Sequence, residues 1–129
     1  MAGYIGPSPV SGNLLGSIVV DTAVAGTFTD TSVTGSTTLD FSTHQNFVLT
    51  LTGAVTLANP TTEIVGQTGF IVFIQDGTGG RAVSLGTDYE TAGAAGLTLS
   101  SAASTTDVVP YIVIASNRIL LGAPQLAFA

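Results

Sequence analysis

The side chains that could do chemistry in this sequence are a lone histidine and a few carboxylates. His44 is the only histidine and cysteine is absent, so a metal site built from nitrogen and sulfur ligands is not expected. No serine lies in a Gly-x-Ser-x-Gly elbow, the usual context for a Ser-His-Asp triad outside the protease folds. We therefore expect no enzyme activity, no metal and no cofactor, and we interpret His44 as a surface-loop residue.

Asp88 and Glu90 lie two positions apart, with Tyr89 between them. Two such carboxylates could act as acid and base in glycoside hydrolysis, or as ligands for a cation. A carbohydrate-active enzyme would also need aromatic platforms, and the chain has no tryptophan and only three tyrosines. The default interpretation of this segment is a solvated loop.

A glycine-rich stretch at residues 76–80, DGTGG, separates an apolar run at residues 70–75 from a second run at residues 81–85. A calcium loop needs several closely spaced oxygen ligands, and a phosphate cradle needs a following Lys-Ser/Thr and a helix. The stretch lacks these features, so we expect Asp76 to bond the main chain of its own turn. Because glycine takes positive φ at low cost, the pattern predicts a β-hairpin.

Positive charge is scarce in this chain. Arg81 and Arg118 are the only strong bases, against eight acids, for a net charge of −6. Two arginines cannot neutralise a phosphate backbone or hold an anionic lipid surface, so we expect neither nucleic acid nor a membrane as a partner. Asp76 and Asp107 are the expected ion-pair partners of the arginines.

The composition also predicts contact with other subunits. Mean hydropathy is +0.56, yet no apolar run approaches the roughly 20 residues of a membrane-spanning helix. The N-terminus lacks the basic and apolar regions of a signal peptide. A chain this apolar, in which only 8% of residues are charged, is expected to bury part of its surface against neighbouring subunits.

Residues 47–52 alternate cleanly between two faces, and the run resumes at 54–57 after Gly53. Residues 108–115 are an almost continuous apolar run, so both segments are predicted to be strands. Ser116-Asn117 has the composition of a tight turn leading into a return strand, with Asn117 in the left-handed region. About nine short strands without a convincing amphipathic helix predict an all-β fold, specifically an antiparallel β-sandwich of jelly-roll type.

The expected organisation is an extended N-terminal arm over residues 1–15, followed by a single β-sandwich domain over residues 16–129. Prolines disfavour a helix in the arm. Its apolar residues Tyr4 and Ile5 either belong to a frayed terminus or dock on a neighbouring subunit.

Several strings from Asn46 onward resemble a β-rich domain of bacteriophage virion proteins, found in tail-fibre and capsid-decorating proteins. They are FVLTLTG at residues 47–53, LANP at 57–60, GQTG at 66–69, IQDGTGGR at 74–81 and DVxxY at 107–111. The opening YIGxxP at residues 4–9 is similar to the N-terminal attachment stretch of such proteins. The resemblance implies a non-enzymatic structural module of the virion, usually a homotrimer.

Because the chain is short, apolar and acidic, we interpret it as a trimeric capsid decoration or cement protein on the outer surface of the phage head. It would stabilise the head by binding across subunits of the major capsid protein or other virion proteins. The residues expected to contact the capsid or a neighbouring subunit are Tyr4, Ile5, Pro7, Leu126 and Phe128.

The alternative is a tail-fibre or head-fibre module that binds a host receptor or glycan. In that case the protein would lie on the tail or on a head fibre, and the receptor loop would contain Asp88, Tyr89 and Glu90.

Overall fold

The computed structural model describes residues 26–129, which form a nearly all-β structure. The eight strands of this part of the chain are β1 Thr27–Thr38, β2 Asn46–Ala58, β3 Thr68–Gln75, β4 Val83–Leu85, β5 Tyr89–Glu90, β6 Thr106–Ala115, β7 Arg118–Leu121 and β8 Gln125–Phe128. A short 3-10 turn spans Ala92–Ala94. The predicted all-β class is therefore confirmed. Residues 26–129 contain no helix with the length and apolar character needed to cross a membrane.

The predicted N-terminal arm, residues 1–15, lies outside the described residues, and so do Tyr4, Ile5 and Pro7. The predicted division into an arm, residues 1–15, and a single domain, residues 16–129, therefore stays a prediction.

The strands form one mixed sheet in the order β1-β2-β3-β6-β7-β5, with β4 beside β2 and β8 beside β6. Strands β1, β3 and β4 all pair with β2 in parallel, and β5 pairs with β7 in parallel. Only the pairs of β6 with β3, β7 and β8 are antiparallel. The expected purely antiparallel arrangement is thus corrected to a mixed sheet. The cause lies in the connections at residues 39–45 and 59–67, which are crossovers between parallel strands and not tight turns.

The hairpin expected around the glycine-rich stretch does not form. Strands β3 and β4 run in the same direction and pair with β2 one after the other. Strand β2 meets β3 from Phe47 to Leu51 and β4 from Val55 to Leu57. The glycine-rich residues are therefore an excursion between two segments that lie along the same side of β2.

The side chain of Gln75 closes this excursion. Its Oε1 accepts a hydrogen bond from the main-chain N–H of Arg81 at 2.9 Å, and its Nε2 donates to the carbonyl of Arg81 at 2.9 Å. These two bonds mimic the exchange between facing residues of a β-ladder. Because Gln75 is only 3% exposed, the pair is shielded from water, and residues 76–80 form a closed loop outside the strand.

The core lies on the inner face of the sheet. The alternate residues Leu49, Leu51 and Leu57 of β2 point inward and are completely buried. Phe41, in the first crossover, packs edge-on against the rings of Phe47 and Tyr111, with centroids 5.1 and 5.2 Å apart. The inner face of this curled sheet is therefore covered by crossover segments, so the predicted sandwich is matched only loosely.

The tight turn predicted at Ser116-Asn117 corresponds to the local geometry. Asn117 has a φ of 61°, as expected for the tight turn between β6 and β7. Pro110 lies within β6, and its carbonyl accepts a hydrogen bond from Gly122, just beyond the end of β7. The imide nitrogen of Pro110 faces the same side of β6 as this carbonyl. Strand β7 has already ended there and β8 has not yet begun, so the N–H that proline lacks is not needed for strand pairing.

Gly79 and Gly80 provide a test of the closed loop. Both have positive φ, 76° and 72°, but a Cβ on Gly79 would lie 2.5 Å from the carbonyl oxygen of Ser101, whereas a Cβ on Gly80 would meet no atom within 4 Å. We expect Gly80→Ala to cost about 1–2 kcal/mol through backbone strain alone. Gly79→Ala should cost roughly 1–3 kcal/mol more because of overpacking. Urea unfolding of both variants measures the difference, and equal losses would contradict this packing.

Candidate functional site

Asp76 is committed to its own loop. Its Oδ1 accepts hydrogen bonds from the main-chain N–H groups of Thr78 at 3.0 Å and Gly79 at 2.9 Å, which confirms the predicted turn role. Arg81 Nη2 donates to Asp76 Oδ2 at 2.8 Å, so this predicted ion pair is also confirmed. The Arg81 guanidinium and the two N–H donors lower the pKa of Asp76 to about 2. The carboxylate therefore holds the loop closed and is already bonded on both oxygens.

The segment Asp88-Tyr89-Glu90 is brought together at β5, but its side chains point in different directions. Asp88 and Tyr89 are buried, with 8% and 5% exposure. Glu90 faces outward, where Arg118 donates to it through Nε at 2.6 Å and Nη2 at 2.9 Å. This bidentate bond lowers the pKa of Glu90. Of the three residues proposed for receptor contact, Glu90 is the one that presents its charge at the surface.

A cleft of about 540 Å³ opens beside β5. Its lining residues are Leu85, Gly86, Thr87, Tyr89, Glu90, Thr91, Ala94 and Gly96. The hydroxyl oxygen of Thr87 accepts a hydrogen bond from Asn59 Nδ2 at 2.7 Å, and that of Thr91 accepts one from the N–H of Gly96 at 2.9 Å. Each hydroxyl keeps a proton to donate. The cleft can therefore offer hydroxyl donors beside the Glu90 carboxylate, an arrangement that suits a ligand rich in hydroxyl groups.

Sequence reasoning did not identify the buried polar contacts around Tyr111. Its hydroxyl donates to the carbonyl of Gln45 at 2.6 Å and accepts from Gln67 Nε2 at 3.0 Å. These bonds tie β6 to both crossovers. By contrast, the buried hydroxyl of Tyr89 has no hydrogen-bond partner within residues 26–129. Burial, followed by the charge of Glu63, raises the pKa of Tyr89.

His44 lies in the first crossover. Its Nδ1 is 2.8 Å from the hydroxyl of Thr43, and its ring packs edge-on against Phe28 with centroids 5.4 Å apart. Across the described range, 26–129, the structure contains no group of three His, Cys, Asp or Glu side chains that could hold a metal ion. These contacts give His44 a local packing role.

The C-terminal strand presents two of the residues proposed for subunit contact. Leu126 and Phe128 in β8 are 51% and 54% exposed. Asp107 holds this strand, because its Oδ1 accepts a hydrogen bond from the N–H of Ala127 at 2.8 Å. The same carboxylate accepts bonds from the N–H of Ser100 at 2.6 Å and its hydroxyl at 2.8 Å. Asp107 thus anchors β8. It does not form the predicted ion pair with an arginine, because Arg118 pairs with Glu90.

Comparison with known families identifies a phage protein family. The family described as "Putative phage tail fibre C-terminal domain" matches residues 25–115, more than two thirds of the chain. The chain belongs to this family. Comparison with curated proteins found no match, and comparison with solved structures found none. The family supports a virion structural protein of tail-fibre type and favours the tail-fibre alternative over the capsid-cement interpretation.

The match covers β1 to β6 of the tail-fibre domain. It begins just before β1 and ends at the last residue of β6. The closed loop and the cleft lining therefore lie within it. Arg118 and the exposed strand β8 lie beyond it, so Glu90 belongs to the matched region and its ion-pair partner does not.

The ion pair of Asp76 gives the tail-fibre domain a pH-dependent contribution to stability. Because the folded pKa of about 2 lies below the ordinary 3.8, this contribution is present above about pH 4 and is lost as pH falls towards about 2. Asp76→Asn keeps a similar shape but removes the charge. We expect its urea midpoint to lie below that of the wild type at neutral pH and to converge with it in acid. A gap that stays constant down to about pH 2 would contradict the assignment.

Tyr111 and Tyr89 form a matched pair for testing the buried polar contacts. We expect Tyr111→Phe to lower the free energy of unfolding by roughly 1–3 kcal/mol, because the carbonyl of Gln45 and an N–H of Gln67, both in partly buried bonds, lose a partner. Tyr89→Phe removes a hydroxyl without a partner among residues 26–129, so its effect should be below about 1 kcal/mol in either direction. Urea unfolding at one pH measures both. Comparable losses in the two variants would argue against the network.

Proposed function

We propose that this chain is a structural component of a phage tail fibre, where the described domain forms a host-facing part and has no catalytic role. The observation that carries the proposal is the family match over residues 25–115. The predicted head-decoration role has no comparable support. The tail is accordingly the proposed location, and other virion proteins are the proposed partners.

The use of the carboxylates supports a role without catalysis. Asp76 and Glu90 are each bonded to an arginine. Asp107 accepts three hydrogen bonds from neutral donors. General acid–base catalysis requires a carboxyl group free to exchange a proton with a substrate. These three groups are instead occupied in holding loops and strands.

The cleft beside β5 supports a surface saccharide of the host as the class of receptor. Its volume falls within the roughly 300–1,000 Å³ typical of ligand sites. Thr87 and Thr91 can donate hydrogen bonds to sugar oxygens, and Glu90 can accept from sugar hydroxyls while Arg118 fixes its orientation. We propose that Glu90 contacts the receptor directly, whereas the buried Asp88 and Tyr89 support the cleft wall.

The location and the receptor role can be tested separately on the phage particle. Antibody labelling in electron microscopy should mark the tail, and quantitative mass spectrometry of purified virions should find far fewer copies than of the major capsid protein. Shell-wide labelling with a copy number comparable to the capsid protein would overturn the tail location and restore the decoration role.

The receptor role predicts that an excess of the purified chain lowers phage adsorption to host cells by occupying the receptor. Glu90→Gln and Arg118→Ala should weaken this competition. Thr29→Ala serves as the matched control, because Thr29 is exposed on β1 at the opposite end of the sheet from β5. Competition that survives both cleft variants would reject the cleft as the receptor site while leaving the tail location intact.

A further inference from the structure

The outward face of β3 and β6 is apolar, although it is not covered by any part of residues 26–129. Alternation places odd-numbered residues of β6 in the core and even-numbered residues on the outside. Strand β3 follows the same pattern. The outward side chains that define this surface, called here the β3–β6 face, are Phe70, Val72, Ile74, Val108, Ile112 and Ile114. Phe70 is 50% exposed, and Ile112 and Ile114 are also exposed.

The β3–β6 face is continuous across the sheet. Strands β3 and β6 pair without a register shift from Thr68 to Ile74, which places Val72 directly opposite Val108. Leu120 of β7 lies opposite Ile112, and Phe128 of β8 lies opposite Thr106. The neighbouring strands therefore extend the apolar surface on both halves of β6.

The size of this surface is comparable with that of the largest apolar patch on a typical monomer. The face is three strand positions wide, because β7 and β8 lie one after the other along the same side of β6. Three positions about 4.8 Å apart and seven residues rising about 3.4 Å each span on the order of 300 Å² in plane. Side chains that stand above this plane increase the accessible area. The face thus provides a substantial part of the roughly 800 Å² that each partner buries in a standard interface.

Charge distribution indicates which partner fits the face. The outward positions of β3 and β6 are apolar residues or threonines, without a carboxylate or a base. The chain as a whole carries a net charge of −6, and both of its arginines are paired with its own acids. Two copies would repel each other wherever carboxylates approach. An uncharged face is where they can meet without that cost.

We propose that the β3–β6 face is an interface with a second copy of this chain. Phe70 and Ile112 lie in its centre, and Phe128 lies at its edge. The ion pair of Glu90 and Arg118 lies beyond Leu120 at the rim, because Glu90 is opposite Leu120 in the pairing of β5 and β7. A basic protein would find no carboxylate on this face, and a saccharide would find only threonine hydroxyls. The proposal does not depend on the tail location or on the cleft.

Sedimentation of the full-length chain tests the interface. The wild type should have a mass that is a multiple of the 12.9 kDa chain, and added salt should preserve or strengthen the association by screening repulsion between the acidic copies. Ile112→Glu and Phe70→Glu should each weaken association by at least about tenfold, because an unpaired charge would be buried. Circular dichroism should show that both variants keep the wild-type fold, since both positions are exposed in a single chain.

Phe28→Glu is the matched control. Phe28 is exposed to about the same extent as Ile112 and lies in β1, which β2 separates from β3 and β6. It should associate as the wild type does. A monomeric wild type, or face variants that associate normally, would overturn the proposal.

A photo-crosslinking residue placed at position 112 of the full-length chain identifies the occupant of the face directly. Crosslinked species of twice the chain mass or more are expected. Crosslinks that join position 112 to residues 1–25 of the same chain would assign the face to that segment and overturn the proposal.

Discussion

The parallel pairing of three strands with β2 is the constraint on which the rest of this domain depends. Parallel neighbours cannot be joined by a tight turn, so the chain must return along the sheet after β1 and again after β2. The first return delivers Leu39 and Phe41 to the core. Thr62 of the second return accepts a hydrogen bond from the N–H of Phe41 at 3.0 Å, which links the two returns. The connections of the sheet therefore contribute to the core that its inner face forms.

The strands themselves were largely predictable from sequence. Alternation identified the middle of β2, an apolar run identified most of β6, and the Ser-Asn pair identified the turn into β7. Their pairing was not predictable, because parallel and antiparallel neighbours of β2 carry the same local alternation. The hairpin prediction failed for a related reason. Glycines indicate that a turn is possible but do not determine its type. The loop is closed by the amide of Gln75, which bonds to a residue six positions along the chain.

The candidate site was predictable in composition and not in orientation. Asp88, Tyr89 and Glu90 were recognisable as a polar cluster. Their directions depend on the pairing of β5 with β7, which points Tyr89 towards the core beside Ile119 and Glu90 towards solvent beside Leu120. A strand of two residues between loops is too short to show a periodicity, so the sequence does not predict which side chain points inward. The anchoring of β8 by Asp107 escaped prediction because it links residues 20 positions apart.

Charge in this domain serves the main chain more than the surface. Asp30 and Asp40 each accept a hydrogen bond at 2.9 Å from the N–H two residues later. Asp76 and Asp107 bond the main chain in the same manner, in a loop and at a strand end. Bonds to ionised acceptors are stronger than neutral ones. This chain has few charged residues, and several of them stabilise turns and strand ends. The β3–β6 face carries none of them.

The clamp formed by Gln75 uncouples the length of one loop from the register of the sheet. The amide bonds to Arg81 fix the neck, so β4 meets β2 at the same residues whatever the loop contains beyond that point. Gly77 and Thr78 at the tip are exposed, and lengthening a loop adds little closure entropy. The tip is therefore where related chains can differ in length, and where a peptide tag can be displayed, without disturbing the strands.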